Sequence, residues 1–461
     1  MKNIIAAFLL ATVASSCTKI LEQQPQTTVD PAVAFATPEG VEAGLIGIYD
    51  ALQSVNYYGL RYQVFADLYA DGLTHTGTFP SFAQIANKAI LADNVEVTNM
   101  WNIIYNGINR ANNVIFYGNA LDDPTFNKNL AVAEARGLRG MMYFDLIRYW
   151  GGAPEGYNKP GGLGVPIVTT PTLIPQDATP RTRATEAEVY TQILADLDFA
   201  IANLDPNDSR NSRLSRNAAI ALKARVQLYR EQWEDAETLS TTIISALGGG
   251  PNGGLVTSND YQNLWLNKNV RPESIFELQF FSDDANSIAF FYYTAATGGR
   301  NEIASSSALN AAHEANDIRK PVNVTVAVPP VIPANKTRKA SRISGDDNVI
   351  LIRLAELYLI RAEARARKAT PDLGGALADL NLIRSRAGLS PSGATTAQEI
   401  INAVEQERRV ELAHEGHRFF DIRRYNKLST ISITQTFRAL WPIPQREQLT
   451  SGDIIKQNPG Y

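Results

Sequence analysis

Cysteine is almost absent from this chain of 461 residues, because Cys17 is the only one. A single thiol cannot form an internal disulfide, so the fold does not depend on disulfide bonds. Histidine is also scarce, with four residues, which disfavours a histidine-rich metal site. The 43 basic and 47 acidic side chains give a net charge of −4, so the basic excess of nucleic-acid-binding proteins is missing. We therefore expect no nucleic-acid partner.

Long hydrophobic runs are missing everywhere except at the start of the chain. Lys2 supplies a positive charge there, and the segment Ile4 to Val13 (IIAAFLLATV) is an apolar run with small residues mixed in. This run is shorter than the about 20 apolar residues that a membrane-spanning helix needs, and it is typical of a secretory signal. We predict a signal peptide over residues 1–16.

The single cysteine stands directly after this signal. It follows the small residues Ala14, Ser15 and Ser16, an order that resembles a bacterial lipobox, although a lipobox most often has Leu where Ala14 stands. In a lipobox the cysteine becomes the new N-terminus and is acylated, and several acyl chains anchor a protein durably. The alternative is an ordinary signal with an incidental cysteine. We predict lipidation at Cys17, followed by a polar tether over 17–38.

Beyond the tether, helical periodicity dominates the sequence. A Gly/Pro-rich connection spans 151–184, a strand is predicted at 274–281, and 282–345 shows no sustained period. Ala224 and Ala236 lie twelve residues apart across a helix turn, as do Ala364 and Ala376, and small residues at that spacing let antiparallel helices pack closely. These features predict a mainly α fold built from tetratricopeptide-like helical hairpins, with irregular loops and a few short strands. The predicted helices are 39–54, 98–120, 128–150, 185–204, 214–231, 233–246, 349–369, 373–387, 396–415 and 416–427.

One short motif resembles catalytic chemistry. The segment His414-Glu415-Gly416-His417 has its histidines three residues apart, whereas the zinc-protease motif requires a spacing of four. A GxSxG nucleophile turn and a phosphate-binding GxxxxGK[ST] loop are also missing from the sequence. We therefore predict no catalytic residues, no metal and no cofactor.

Charged residues fall on a helix face that should be buried. Ile401, Val404, Arg408 and Glu411 form one stripe at steps of three and four residues. Because an unpaired buried charge is unfavourable, we expect these charges to pair with charges of the 349–369 segment. A catalytic carboxylate pair is the alternative, but interleaved arginines would keep such carboxylates ionised. The expected partners are Arg353, Glu356, Arg361 and Glu363.

Two aromatic-rich segments outside the predicted helices suggest a binding surface. One contains Tyr57, Tyr58, Tyr62, Phe65 and Tyr69 and continues to Phe82, and the other contains Phe290 to Tyr293. Aromatic faces beside polar groups suit sugar rings or peptide side chains, although ordinary core aromatics are the alternative, favoured for Tyr62, Phe65 and Tyr69. The candidate ligand-binding residues are Asp71, His75, Phe79, Phe82, Phe291, Tyr292, Tyr293 and Arg300.

Several segments resemble the SusD/RagB family of outer-membrane nutrient-binding lipoproteins. Residues 405–425 (EQERRVELAHEGHRFFDIRRY) resemble the family's ERRxELxxEGxRxxDLRR segment, and 350–366 (ILIRLAELYLIRAEARA) and 380–389 (LNLIRSRAGL) resemble its helical hairpin. Residues 101–112 (WNIIYNGINRAN) and 134–154 (EARGLRGMMYFDLIRYWGGAP) resemble its N-terminal half. Its closing motifs are matched by LWPIP at 440–444 and QNPGY at 457–461.

The resemblance implies a lipoprotein on the outer-membrane surface that captures oligosaccharides, or peptides in some members. It also implies delivery of this cargo to a partner SusC-like TonB-dependent transporter. We expect one compact body with an N-terminal part over 39–254 and a C-terminal part over 255–461, and with ligand loops at about 55–95 and 282–345. The residues after Cys17 lack an acidic cluster often linked to surface export. The alternatives are a surface glycoside hydrolase with two carboxylates and a scaffold without a ligand.

Overall fold

The computed structural model describes residues 30–268, 271–328 and 332–461. The predicted signal peptide, Cys17 and part of the tether lie outside these residues. About 52% of the structure is helical over these described residues, and the strands are short, which confirms the mainly α prediction. The division at residues 254 and 255 stays a prediction.

The first half of the described chain contains nine helices and one strand. Their bounds are α1 Pro31–Ala34, α2 Pro38–Gln53, α3 Arg61–Leu68, β1 Leu73–His75, α4 Pro80–Ala86, α5 Val95–Ala120, α6 Lys128–Trp150, α7 Glu186–Asn203, α8 Arg216–Tyr229 and α9 Trp233–Leu247.

The second half alternates short elements with three longer helices. The elements are α10 Asn263–Leu266, β2 Ser274–Leu278, α11 Ile288–Tyr292, β3 Ile303–Ser305, α12 Ser307–Ala312, α13 Lys320–Asn323, β4 Val349–Arg353, α14 Leu354–Arg367, α15 Leu373–Arg386, α16 Ala397–Glu411, α17 Arg418–Arg424 and α18 Gln445–Thr450. Single turns of 3-10 helix occur at 175–177, 258–260, 295–297, 428–431 and 436–439.

Helical hairpins form the scaffold, as the sequence predicts. The long helices pack in succession: α2 on α5, α5 on α6, α6 on α7, α7 on α8 and α8 on α9. Helix α9 then packs on α14, and α14 packs on α15 and α16. The four alanines Ala224, Ala236, Ala364 and Ala376 are all fully buried. They lie on α8, α9, α14 and α15, where a side chain no larger than a methyl group lets paired helices approach closely.

Local capping signals place the helix ends. Thr185 and Glu188 form a reciprocal capping box at the start of α7, with Glu188 N–H donating to Thr185 Oγ1 at 3.2 Å. Thr396 and Glu399 do the same at the start of α16. The helices predicted at 39–54, 128–150, 185–204, 233–246 and 373–387 agree with the structure to within one residue at each end.

The prediction of one helix over 349–369 is wrong at its start. Val349–Arg353 is strand β4, which pairs antiparallel with β2 so that Leu278 faces Val349, and the helix begins only at Leu354. All five residues of β4 are buried. An apolar run buried throughout carries no period, so a strand and a buried helical turn look alike in the sequence.

The predicted helix over 396–415 also ends early, at Glu411. The backbone of His414 adopts a φ of 66°, in the left-handed region that an α-helix cannot continue through. The next predicted helix, 416–427, is the shorter α17.

Charged residues on the buried face of α16 do form ion pairs. Glu411 is fully buried and meets three arginines, Arg353 at 2.5 Å, Arg319 at 3.0 Å and Arg386. The predicted pairing with Arg353 is confirmed. For Arg408 the predicted partner is wrong, because it bonds Asp421 of α17 at 2.9 Å and not a residue of 349–369. The turn between α16 and α17 brings Asp421 back to Arg408.

Candidate functional site

A short antiparallel ladder brings the two aromatic segments of the sequence together. Strand β1 pairs with β3, so that His75 faces Ile303 and Leu73 faces Ser305. The residues just before β3 are bonded in turn to the second aromatic segment. Arg300 N–H donates to Phe290 O at 2.7 Å, and Glu302 N–H donates to Phe291 O at 2.8 Å. The result is a surface that we call the aromatic patch. It consists of His75, Phe79, Phe82, Phe290, Phe291 and Arg300.

The rings of the patch contact one another in layers. Phe82 is fully buried and stacks under Phe291, with ring centroids 5.5 Å apart and planes inclined by 13°. Phe79 lies 6.1 Å from Phe291 and is half-buried. Phe290 projects beside them, 40% exposed. Contacts of this kind fix the rings before any ligand arrives, so little side-chain entropy remains to be lost on binding.

A buried carboxylate supports the polar edge of the patch. Glu302 bonds His75 Nε2 at 2.9 Å and accepts from the Phe79 backbone N–H at 2.6 Å. Arg300 lies 3.4 Å from the same carboxylate and stacks over the Phe79 ring at 4.0 Å. Burial by itself would raise the pKa of Glu302, but the Phe79 N–H, His75 and Arg300 outweigh this effect and lower it. Glu302 therefore positions the aromatic and cationic groups around it.

Five of the eight residues predicted for the site lie together in the patch: His75, Phe79, Phe82, Phe291 and Arg300. Phe82 is fully buried, so its ring supports Phe291 and is not itself accessible to a ligand. For all five, a role in ligand binding stays a prediction.

The other three predicted residues lie apart from the patch surface. Tyr292 is 1% exposed and its hydroxyl bonds His414 Nδ1 at 2.9 Å. Tyr293 is buried and donates to Thr337 O at 3.2 Å. The carboxylate of Asp71 is held at 2.8 Å by both Arg409 and Arg418. All three have structural contacts that account for their positions.

Two residues of the site were not among the predicted ones. Phe290 is the ring of its segment with the greatest exposure, whereas Ile288, Ala289 and Tyr292 of α11 are buried. Glu302 bonds His75 across 227 residues of sequence, so no local signal marks it. A helix over 288–292 places Phe290 and Tyr292 on different faces. This helix could not be predicted, because five residues are too few for a helical period to show in the sequence.

The His414 to His417 motif is largely buried, with His414 and Glu415 partly exposed. His414 bonds Tyr292 with one ring nitrogen and Asn323 O with the other, at 2.8 Å, and burial lowers its pKa to about 3. In the part of the chain that the structure describes, no group of three or more metal-ligating side chains is present. Over the same residues, no helix has the length and apolar character to cross a membrane.

The fold and the patch define a class: a helical-hairpin protein that presents a preformed aromatic surface on short elements outside the hairpins. Residues 318–432 match the family model described as "SusD family", and residues 19–228 match the one described as "Starch-binding associating with outer membrane". These two matches together cover most of the chain and confirm its resemblance to the SusD/RagB family.

Individual relatives agree with this assignment along the whole chain. The SusD-like protein P38 of Formosa agariphila is 26% identical and aligns over 100% of this chain and 99% of its own length. A SusD superfamily crystal structure from Bacteroides thetaiotaomicron superposes with a TM-score of 0.78 at 26% identity, covering 92% of this chain and 100% of that one. A laminarin-binding SusD-like protein has the same fold, with a TM-score of 0.73 at 23% identity over 92% of this chain and 99% of that one.

Proposed function

We propose that this protein is a lipid-anchored, non-enzymatic binding protein of the outer-membrane surface. It captures oligosaccharides at the aromatic patch and delivers them to a partner SusC-like TonB-dependent transporter. The observation that carries the proposal is a preformed, partly exposed cluster of aromatic rings beside a cation in a SusD/RagB fold. Similarity to a "Starch-binding" family model and to a laminarin-binding neighbour favours a glycan over a peptide.

The patch offers the two kinds of contact that a sugar ring needs. The exposed ring of Phe290, with the partly exposed rings of Phe79 and Phe291 beside it, can stack on the apolar C–H faces of a pyranose. Arg300, with a side chain 40% exposed, can donate hydrogen bonds to ring hydroxyls. Such a shallow surface removes only part of a sugar from water, so binding is weak enough for the cargo to leave again.

Binding without hydrolysis is supported by the surroundings of two carboxylates, Glu302 at the edge of the patch and Asp71 apart from it. A glycosidase needs two carboxyl groups roughly 5–10 Å apart around the scissile bond. The carboxylate inside the patch, Glu302, is 1% exposed and already bonded to His75 and Phe79. Asp71 is paired with two arginines that lower its pKa against the effect of burial. Incubation with laminarin and starch should therefore yield no new reducing ends; their appearance would favour the hydrolase alternative.

Truncating the exposed ring tests the location of the site. Phe290→Ala is expected to weaken binding of a laminarin or starch oligosaccharide about tenfold, because one stacking face of roughly 1–2 kcal/mol is removed. Isothermal titration calorimetry on the purified protein measures this affinity. Phe116→Ala is the matched control, since Phe116 is 50% exposed on α5 outside the patch. Equal affinities of both variants and the wild type would place the site elsewhere.

The lipid anchor is tested separately from the ligand. Cys17→Ser removes the acylated thiol, so the protein should move from the membrane fraction to the soluble fraction of the cell that expresses it. Its affinity for oligosaccharide should stay unchanged, because the patch is far along the chain from the tether. Retention of the variant in the membrane fraction would contradict anchoring at Cys17.

A further inference from the structure

Residues from α5, from the connection after α6 and from the C-terminal end of the chain form a second concave surface. One face of α5, the connection at 166–181 and helix α18 enclose a cleft of about 670 Å³. It shares no residue with the aromatic patch. Ring contacts through the core link the two, from Phe82 through Phe65, Trp441 and Trp150 to Trp101.

The wall of the cleft carries two amides without internal partners. Asn102 and Asn106 lie one turn apart on α5, and both are exposed. Among the described residues, no hydrogen bond to either side chain is formed. Asn109, one further turn along, is used differently, because its Oδ1 accepts from Thr172 N–H at 2.8 Å and so fixes the connection against α5. Free amides on a fixed wall can donate to and accept from hydroxyl groups.

Aromatic rings form the apolar part of the same cleft. Trp101 and Tyr105 contact each other with ring centroids 4.9 Å apart. The hydroxyl of Tyr105 donates to Pro166 O at 2.8 Å, which fixes the ring and leaves it half-buried at the cleft. This combination of a fixed ring and nearby amides suits a pyranose.

Two guanidinium groups give the cleft a positive rim. Arg181 and Arg446 are exposed, and within the described ranges neither has a carboxylate oxygen within the 4.0 Å that defines an ion pair. Among the residues that the structure describes, the side chain of Arg181 donates one hydrogen bond, to Thr170 Oγ1 at 3.4 Å. Of the acids at the cleft, Asp177 accepts from the Leu173 and Ile174 N–H groups. Burial raises the pKa of Glu447, and the opposing effects of Trp101 and Arg446 are smaller. The exposed guanidinium groups of Arg181 and Arg446, neither of which is held in a direct ion pair among the described residues, favour an anionic ligand.

We propose that this cleft is a second binding site, specific for an anionic oligosaccharide. The ring of Tyr105 stacks on one sugar unit and Asn102 and Asn106 bond its hydroxyls. Arg446 and Arg181 pair with the acid group, which is a carboxylate or a sulfate. This site is independent of the proposed function of the patch, because its residues belong to other elements.

The wild-type protein should bind an acidic tetrasaccharide more tightly than neutral laminaritetraose. Tetragalacturonate provides the carboxylate arm of the experiment and a chondroitin sulfate tetrasaccharide the sulfate arm, so their order identifies the acid group. Arg446→Gln should weaken binding of the preferred probe about tenfold, the usual effect of losing one charge-assisted hydrogen bond. Asn106→Ala should weaken it severalfold without a change in charge. Calorimetry at constant ionic strength gives all these affinities.

Arg216→Gln is the matched control, since Arg216 is an exposed arginine of α8 outside the cleft. It should bind the acidic probe as the wild type does, and so should Phe290→Ala. The proposal is overturned if neither acidic probe binds better than the neutral one, or if Arg446→Gln and Arg216→Gln have equal effects. It is also overturned if Phe290→Ala abolishes this binding, because the site would then be the patch. Tighter binding of an acidic peptide would assign the cleft to a different ligand class.

Discussion

Replacing Glu411 with alanine is expected to lower the free energy of unfolding by about 3–5 kcal/mol, the usual effect of breaking a buried charge pair. The carboxylate is fully buried and contacts Arg319, Arg353 and Arg386. These arginines lower its pKa far below the ordinary value although burial opposes them. Without the carboxylate, three buried guanidinium groups face one another with less compensation. Chemical denaturation with urea, followed by circular dichroism, measures the loss.

Glu314→Ala supplies the matched control for this substitution. Glu314 also pairs with an arginine, Arg384, at 2.6 Å, but its side chain is 53% exposed. Exposed ion pairs contribute about 0–1 kcal/mol, so this variant should unfold almost as the wild type does. Glu411→Gln keeps the size of the side chain and removes only the charge. If it too leaves stability unchanged, packing and not charge compensation holds this part of the core together.

Local patterns were sufficient for the scaffold but not for pairings across the chain. The hairpins α8–α9 and α14–α15 have a 3.6-residue period and small residues at the contact, so their positions could be predicted. Strand β4 could not, because its five residues are buried together and show no period. The partner of Arg408 was also missed, because the left-handed residue His414 and the turn around it bring Asp421 back onto α16.

The candidate site could be predicted in composition but only partly in geometry. Aromatic residues at 79–82 and 290–293 suggested two candidate segments, and the structure brings these segments together. Which rings face outward depends on the one-turn helix α11, which buries Tyr292 and exposes Phe290. The β1–β3 ladder that joins the segments is three residues long on each side and spans more than 200 positions, so its pairing is set by the tertiary fold.

Asp67 is a buried acid whose pKa is raised by its environment, whereas the pKa of Glu411 is lowered. It lies on α3, 2% exposed, and in the described part of the protein neither carboxylate oxygen has a hydrogen-bond partner of good geometry. Burial raises its pKa from 3.8 to about 7, and the backbone N–H groups of His414 and Arg418 oppose the rise only in part. The folded protein therefore holds a proton on Asp67 at pH values where the unfolded chain has released it.

This raised pKa makes stability fall as the pH rises. Below pH 3.8 both states are protonated and the group has no effect; between pH 3.8 and about 7 the unfolded state ionises first, so stability is lost progressively. A shift of about three pKa units corresponds to a loss of about 4 kcal/mol once both states are ionised. Asp67→Asn mimics the protonated acid, so at pH 8 it should be more stable than the wild type by up to about that amount.

The comparison of Asp67→Asn with the wild type across pH isolates this one group, because all other titrations are common to both proteins. The gain should be near zero at pH 4 and grow to its full value by pH 8, measured from urea denaturation at each pH. Asp71→Asn, four residues along, should behave in the opposite way. Burial of Asp71 is outweighed by Arg418 and Arg409, which lower its pKa, so the amide loses two ion pairs and destabilises the protein at pH 8. A loss of stability at pH 8 in both variants would mean that the carboxylate of Asp67 is ionised and stabilising in the folded protein.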